Sequence, residues 1–453
     1  MPNAFMVVSY IKFAERLQEL LYDFSKISSI KAKFIIRHRL LDIKKWLLTS
    51  LKWIKQKNPT LGSLANLFAK KGVIISKQAL GKKFNMNCVE YLRMMLAHTL
   101  SIMVNKSNAK APLLLSLFNG VYIADCTILQ LSQQTKDLFP GVGGKDEKVN
   151  VSELKIFLRI EATTGIIEHF AYDSSRTSDS KFHRQTDPLP QHALELADIA
   201  YVNQERLWYN LKNNIYFICR FQSHSVIYYN NQKYTISEFL QQQKGNEVDI
   251  LIQFGRQKVP VRLIARRVSE EVAKQKLASV THTANKLGRQ VSQAQTIVSK
   301  WQFYITNIGS NMCTLDEVVT LYSVRWQIEL IFKLWKNNMA LNDSNGKTTV
   351  RVLCEKLLKM IYLLIFHNHE ILAGIGPVCE ISHVEILDRY NIQFDRLLDV
   401  LWKKRTSRTV RNVIKQTITF MLENPKRNTR RTDPLLYDRL NKKQLSQTII
   451  TSS

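Results

Sequence analysis

Three carboxylates sit where a carboxylate is costly. Asp125 lies inside the apolar run "YIADCTILQL", and Asp198 ends another in "ELADIAY". Glu329 is the single acid of "YSVRWQIELIFKLWK", Tyr322 to Lys336, among Arg325, Lys333 and Lys336. An acid in an apolar strand is unfavourable unless it is paired or bound to metal. Three acids on separate elements of one α/β core would converge on a pair of divalent cations. Hard cations take oxygen ligands, and a two-metal site clamps the attacking and leaving oxygens of an in-line phosphoryl displacement. Basic residues beside it would hold the phosphodiester. Plainer readings exist for each acid. A strand Asp can be a satisfied edge residue, Asp198 can cap the helix that follows, and Glu329 can pair with Arg325 at i,i+4 for a few tenths of a kcal/mol. Asp173 and Asp179 compete with them but read as loop residues. His367 and His369 of "HNHE" are two residues apart and do not face each other on a helix, so that cluster is set aside.

The elements that must position these groups can be read from periodicity. Thr314 with Glu317 forms a capping box before an apolar run. At roughly 100° per residue, a single helix from there puts Tyr322, Arg325, Glu329 and Lys336 within an arc of about 60°. Leu321, Ile328, Phe332 and Trp335 form the neighbouring apolar stripe. Upstream, "GVYIADCTILQL" reads as a buried strand. "ELKIFLRIEATTG" with "IIEHFAYDSS" reads as a hairpin over Thr-Thr-Gly. "LELADIAYV", a helix over "NQERLWYNLKNN" and the strand "IYFICRF" follow. The expected fold class is α/β with a mixed sheet.

The flanks differ in texture. The chain has 453 residues and a net charge of +28. A folded chain this basic points to a polyanion, most simply nucleic acid. Residues 1–112 read as a helical, Lys-rich DNA-binding region. Within it, residues 60–85 have the grammar of a helix-turn-helix: a Leu61, Leu64, Leu67, Phe68 stripe, a break at Gly72, and a second helix after Ser76. That second helix turns Lys77, Gln78, Lys82 and Lys83 outward as candidate DNA contacts. Residues 113–221 read as the first part of the core, 222–306 as a β-rich insertion, 307–345 as the core helix, and 346–453 as a helical C-terminal region with a basic tail. The longest uncharged run, Ala111 to Ala124, is too short to span a bilayer, and no membrane partner is expected. The scattered cysteines, Cys88, Cys126, Cys219, Cys313, Cys354 and Cys379, show no CxxC pair, as in a reducing compartment. A cytoplasmic, nucleoid-associated protein is the expectation.

Asp125 in "YIADCTILQL", Asp198 in "LADIAY" and Tyr322-x2-Arg325-x3-Glu329-x6-Lys336 together resemble the DDE transposases of the IS-four type, encoded by bacterial insertion sequences and marked by a YREK signature. "FPGVGGKDEKVNVSELKIFLRIEATTG" resembles the family's stretch between the first acid and the hairpin. The resemblance spans roughly residues 60 to 370. Cys126 stands where small hydroxyl residues are frequent in relatives, and Asp198 is followed by Ile-Ala-Tyr rather than a basic residue and Gly. The resemblance implies an RNase H-like catalytic core, a mixed five-stranded sheet with helices, interrupted by a β-rich insertion. It implies that Asp125, Asp198 and Glu329 are catalytic and hold two Mg²⁺, with Mn²⁺ able to substitute. Tyr322, Arg325 and Lys336 would grip phosphates at the transposon end. Trp301 stands where transposon-five-like relatives carry a tryptophan that stacks on a flipped base; a core tryptophan at a strand start is the equal alternative. The implied activity is cut-and-paste transposition: end nicking, hairpin formation and resolution, then strand transfer, by a homodimer on double-stranded inverted-repeat and target DNA. Two readings stay open beside it. One is an inactive or repurposed inverted-repeat binding protein. The other is a simple Mg²⁺-dependent nuclease.

Overall fold

The computed structural model describes residues 4–35, 41–104, 107, 109–142, 151–179, 181, 186–198, 203–222, 224–286, 288–403, 406–423 and 432–442. Parts of three expectations lie outside the described residues: 143–150 of the stretch before the hairpin, 199–202 after Asp198, and 424–431 with 443–453 of the basic tail. The chain divides into two compact units. One comprises Met1–Lys110, Cys126–Ser178 and Gln327–Pro434; the other comprises Ala111–Asp125, Asp179–Trp326 and Leu435–Ser453.

The first unit begins with helices α1 (Ala4–Glu19), α2 (Ser25–Lys31), α3 (Ile43–Ile54), α4 (Leu61–Ala69), α5 (Lys77–Gly81) and α6 (Met86–Ser101). Side-chain caps decide where they start. Asp42 Oδ1 accepts from Lys45 N at 2.7 Å before α3, Thr60 and Ser63 form a capping box before α4, and Asn85 Oδ1 accepts from Cys88 N before α6. Gly72 closes the α4–α5 turn with φ 73°, a conformation that only glycine adopts without strain.

Strand β1 (Val121–Leu131) passes from the second unit into the first at Asp125. In the first unit it is followed in the sheet by β2 (Ser152–Glu161) and β3 (Ile167–Ser174). β2 and β3 form the expected hairpin, with Leu154 opposite Ser174 and Gly165 at φ 76° in its turn. Asp173 therefore lies on β3 rather than in a loop, accepting from Thr177 Oγ1 at 2.9 Å.

The second unit carries β4 (Leu194–Ala197), α7 (Gln204–Lys212), β5 (Tyr216–Cys219), β6 (Val226–Tyr229), β7 (Gln232–Thr235), α8 (Ile236–Gln241), β8 (Glu247–Phe254), β9 (Val259–Arg267), α9 (Glu270–Lys286), α10 (Gln293–Ser299), β10 (Trp301–Thr306) and α11 (Leu315–Ser323). The strand order within it is β1-β4-β5-β10-β9-β8-β6-β7. β1, β4 and β5 run parallel; β10 is antiparallel to both β5 and β9. The β-rich insertion thus extends the core sheet through β10. The β6–β7 turn is Asn230-Asn231 at φ 48° and 64°, the pair of left-handed residues a tight hairpin needs.

The chain then returns to the first unit. There, α12 (Trp326–Lys333) runs into a π-helical turn (Leu334–Asn338), followed by α13 (Thr349–Leu372), α14 (His383–Trp402) and α15 (Ser407–Leu422). α13 is buried from Val352 to Leu372 and packs against α3, α6 and α15. Each of its fully buried Leu, Ile and Phe side chains contributes about 1.5–3 kcal/mol. The last helix, α16 (Thr432–Asn441), reaches the second unit, where Arg439 donates to Thr320 Oγ1 at 2.7 Å. Among the described residues, no helix is long and apolar enough to cross a membrane. The architecture is mixed α/β. Strands β1 to β5 supply the mixed sheet that the RNase H-like expectation requires, and the N- and C-terminal regions are helical.

Candidate active site

The site starts from strand register. Ile123 on β1 lies opposite Leu196 on β4, and Ala197 on β4 lies opposite Cys219 on β5. Carrying both registers onward puts Asp125, Asp198 and Arg220 in one row across three parallel strands, spaced about 4.8 Å apart. The Arg220 amide continues the ladder by donating to Ala197 O at 3.3 Å. Two carboxylates side by side repel each other, and a nearby cation relieves the repulsion.

Arg325 and Tyr322 each approach one of the two acids. Arg325 Nη1 lies 3.4 Å from Asp125 Oδ2, and the Tyr322 hydroxyl lies 3.5 Å from Asp198 Oδ1. Both contacts are long for hydrogen bonds. The Tyr322 ring lies tilted against Tyr304 with centroids 4.3 Å apart, and the Arg325 guanidinium sits 5.9 Å from the Tyr322 ring. Burial pushes the Tyr322 phenol well above its usual range. Asp198 adds to that push, while Arg325 and Arg220 oppose it. Tyr322 therefore stays a hydroxyl and acts as a donor.

Other acids of the second unit are occupied structurally. Glu195, on β4, receives Arg206 through two hydrogen bonds at 3.2 and 3.0 Å and Asn210 at 2.6 Å. Asp249 is taken by Arg262 at 2.6 Å. Asp125 keeps 24% of its side chain exposed.

The expectation of a single helix carrying Tyr322, Arg325, Glu329 and Lys336 needs correction. α11 does start at the capping box, with Glu317 Oε2 accepting from Thr314 N at 2.8 Å. It ends at Ser323. Val324 N and Arg325 N then bond back to Leu321 O and Tyr322 O, making a turn before α12 begins at Trp326. Lys336 falls in the wider π-helical turn, which buries Leu334 and Trp335 together. A steady 100° step therefore does not run through the motif. The boundary between the two units also falls within it, after Trp326. Tyr322 and Arg325 belong with Asp125 and Asp198 in the second unit; Glu329, half-buried on α12, and Lys336 belong to the first. Burial pushes the Lys336 ammonium below its usual range.

Among the described residues, no three acidic, His or Cys side chains gather into a group able to hold a metal ion. The aspartate pair nevertheless suits a hard cation chemically. It offers carboxylate oxygens on adjoining parallel strands, Asp125 within β1 and Asp198 just past β4, and Mg²⁺ typically takes one or two carboxylates plus water and substrate phosphate.

Two residues escape the sequence reading. Arg220 looks like part of a strand in "YFICRF", and only register brings it beside Asp198. Trp326, next to Arg325, is 53% exposed, whereas Trp301 is 2% exposed at the start of β10 with the Arg267 guanidinium 4.6 Å from its ring. Burial is what the core alternative for Trp301 requires. In the N-terminal region, Lys77, Gln78 and Lys82 are exposed and Lys83 is half-buried, with Leu80 and Phe84 inward. Lys82 and Lys83 lie just past the end of α5.

A family model described as the transposase DDE domain matches residues 117–365. The chain is 26% identical over 382 residues to a transposase for insertion sequence element IS1151 of Clostridium perfringens, covering 78% of this chain and 80% of that one. It is 24% identical over 378 residues to the transposase for IS231F of Bacillus thuringiensis subsp. israelensis, covering 78% of each. A solved piggyBac transposase synaptic complex with hairpin DNA covers 96% of this chain and 87% of its own, at 9% identity and a TM-score of 0.43, a likeness too low to define fold or ligand.

Proposed function

The chain belongs to the DDE-domain transposases, and from that premise we propose that it performs cut-and-paste transposition of its own insertion sequence. The observation that carries the reading is the register pair of Asp125 and Asp198, each approached by one residue of the Tyr322–Arg325 motif. In this proposal Asp125 and Asp198 are metal ligands, and Glu329 is the third by its place in the motif. The group they hold is a pair of divalent ions, Mg²⁺ with Mn²⁺ as substitute. When bound, such ions polarise the scissile phosphate and activate a water or 3′-hydroxyl nucleophile.

The chain's own residues have separate tasks. Arg325, released from Asp125 as charge there is neutralised, turns to a DNA phosphate. Tyr322 donates its hydroxyl to a phosphate oxygen or holds Asp198 in place. Arg220 and Lys336 add positive charge along the backbone. The exposed face of Trp326 is available to a splayed base; Trp301 serves only if it is uncovered. Two copies of the chain hold two inverted-repeat ends, with helices after residue 346 as candidate contacts.

The test is to mix the full chain with Mg²⁺ and DNA carrying the flanking ends, with a Glu329→Ala variant in parallel. Nicked, hairpin and joined products from the parent alone support the reading. Ends bound but uncut by the parent would make the chain a DNA-binding relic. Equal cutting of DNA without the ends would make it a nuclease.

The N-terminal contacts have their own signature. Lys77→Ala with Lys82→Ala is expected to weaken DNA binding on all sequences and to flatten the slope of log K against log salt by about 1 to 2, near 0.9 per lost phosphate contact. Fluorescence anisotropy across a salt titration measures it; an unchanged slope removes these lysines from the interface.

A further inference from the structure

We propose that Cys379 is a nucleophilic, modifiable thiol, activated by His383 and Glu370, that small electrophiles of the hydroperoxide class reach through a cavity behind α12. The cavity lies wholly within the first unit and measures about 320 Å³. Lys333, Trp335 and Asn338 line one side; Glu370, Cys379 and His383 line the other. That is several times the roughly 30 Å³ share of one water, which leaves room for a small molecule beside the sulfur.

The three groups are aligned for proton transfer. Cys379 Sγ lies 3.5 Å from His383 Nε2, and His383 Nδ1 lies 2.8 Å from Glu370 Oε1. A carboxylate accepting from Nδ1–H leaves Nε2 as the acceptor that faces the thiol, the logic of a nucleophile, a base and an orienting acid. Glu370 is itself fixed, because its Oε2 lies 3.4 Å from His367 Nδ1, and His367 Nε2 sits 2.6 Å from Gly165 O. In the resting thiol the sulfur also donates to Ile381 O at 3.6 Å, a bond it gives up when the proton moves. Burial alone would pull His383 down. The Cys379 sulfur and the Glu370 carboxylate outweigh it and raise His383 well above its ordinary range, which strengthens it as the base that takes the thiol proton. Burial alone would push Glu370 up, and His383 with His367 hold it below the usual carboxylate range instead. Lys333 on α12 and Glu380 beside the thiol are the other charged groups around it. A metal site is not the reading, since no such group converges on an ion position among the described residues.

The chemistry balances. His383 takes the thiol proton, and the thiolate attacks one oxygen of ROOH. The S–O bond forms as the O–O bond breaks, sulfur is oxidised by two electrons and the peroxide is reduced. The leaving alkoxide takes the proton from His383, giving Cys379 sulfenic acid and ROH. The added oxygen enters the cavity bounded by the turn that carries Lys336.

The experiment alkylates the folded full chain with limiting iodoacetamide at neutral pH, with glutathione in the same tube, and follows the Cys379 peptide by mass spectrometry. With His383 placed to take its proton, Cys379 is expected to react ~10-fold faster or more than glutathione, which has no such base. His383→Gln, checked by thermal melting, is expected to remove that advantage. A separate arm treats the native chain with hydrogen peroxide and then dimedone, which should tag Cys379 and give no tag at that peptide in Cys379→Ser. Labelling no faster than glutathione, an unchanged rate in a folded His383→Gln, or no dimedone tag would each overturn the proposal.

Discussion

Asp125→Asn is expected to lower end cleavage by ~10³-fold or more while leaving end binding within a few-fold. The substitution keeps the side-chain size and removes one of two charges on neighbouring parallel strands. Metal-mediated stabilisation of a phosphoryl-transfer transition state is worth several kcal/mol, and about 1.4 kcal/mol is tenfold in rate. Asp198→Asn should behave alike, because the two positions occupy one row of parallel register. Stability separates this reading from a structural role. Asparagine keeps an oxygen that can accept from Arg325 Nη1, 3.4 Å from the Asp125 carboxylate, so the substitution should cost about 1 to 3 kcal/mol and leave the chain folded. Plasmid cleavage with Mg²⁺ and a thermal melt on the same sample check both halves. A variant that still cuts within about tenfold of the parent would remove Asp125 from the chemistry. A variant that fails to fold would make it an architectural residue.

The aspartates were legible because charge inside an apolar run is rare and needs a reason; β1 and the end of β4 are where "YIADCTILQL" and "ELADIAY" place them. The β2–β3 and β6–β7 hairpins were legible because their turns carry Thr-Thr-Gly and Asn-Asn, whose conformational tolerance is written in the residue types. The interruption of the motif helix was not. Val324-Arg325 contains neither Gly nor Pro, and nothing in local propensity stops a helix there. The arrangement there instead combines burial of Val324 with the reach of Arg325 to Asp125, and both are tertiary facts. The π-helical turn hides for the same reason, since it serves the burial of Leu334 and Trp335. Arg220 depends on the β4–β5 register, which a sequence does not print. The insertion read as a separate patch because an antiparallel strand such as β10 does not announce its neighbours. Its hydrogen bonds to β5 and β9 join the insertion to the core sheet.

Glu355→Ala is expected to destabilise the first unit by about 3–5 kcal/mol, the usual result of removing one partner from a buried charge network. Glu355 is fully buried on α13 and accepts from Ser344 Oγ at 2.7 Å, Asn345 N at 2.9 Å, Gly346 N at 3.1 Å and Arg351 Nε at 2.9 Å. The next residue, Lys356, donates to Leu341 O, Asn342 O and Asp343 O at 2.7, 2.8 and 3.2 Å, and one turn on Lys359 donates to Asp343 O at 2.7 Å. The carboxylate thus holds the donors of the loop while the two ammoniums hold its carbonyls. With alanine at 355, two backbone amides and a guanidinium lose a carboxylate acceptor, and Lys356 and Lys359 keep Asp343 but lose the other carboxylate that acts on them. The loop follows the turn that carries Lys336, so a buried ion network fixes the backbone just beyond a proposed DNA contact. Urea denaturation should show the midpoint falling for Glu355→Ala. Glu355→Gln should lose less, because an amide oxygen still accepts. A loss below about 1 kcal/mol in Glu355→Ala would mean that water or loop rearrangement satisfies these groups, and that the network does not anchor the segment after Lys336.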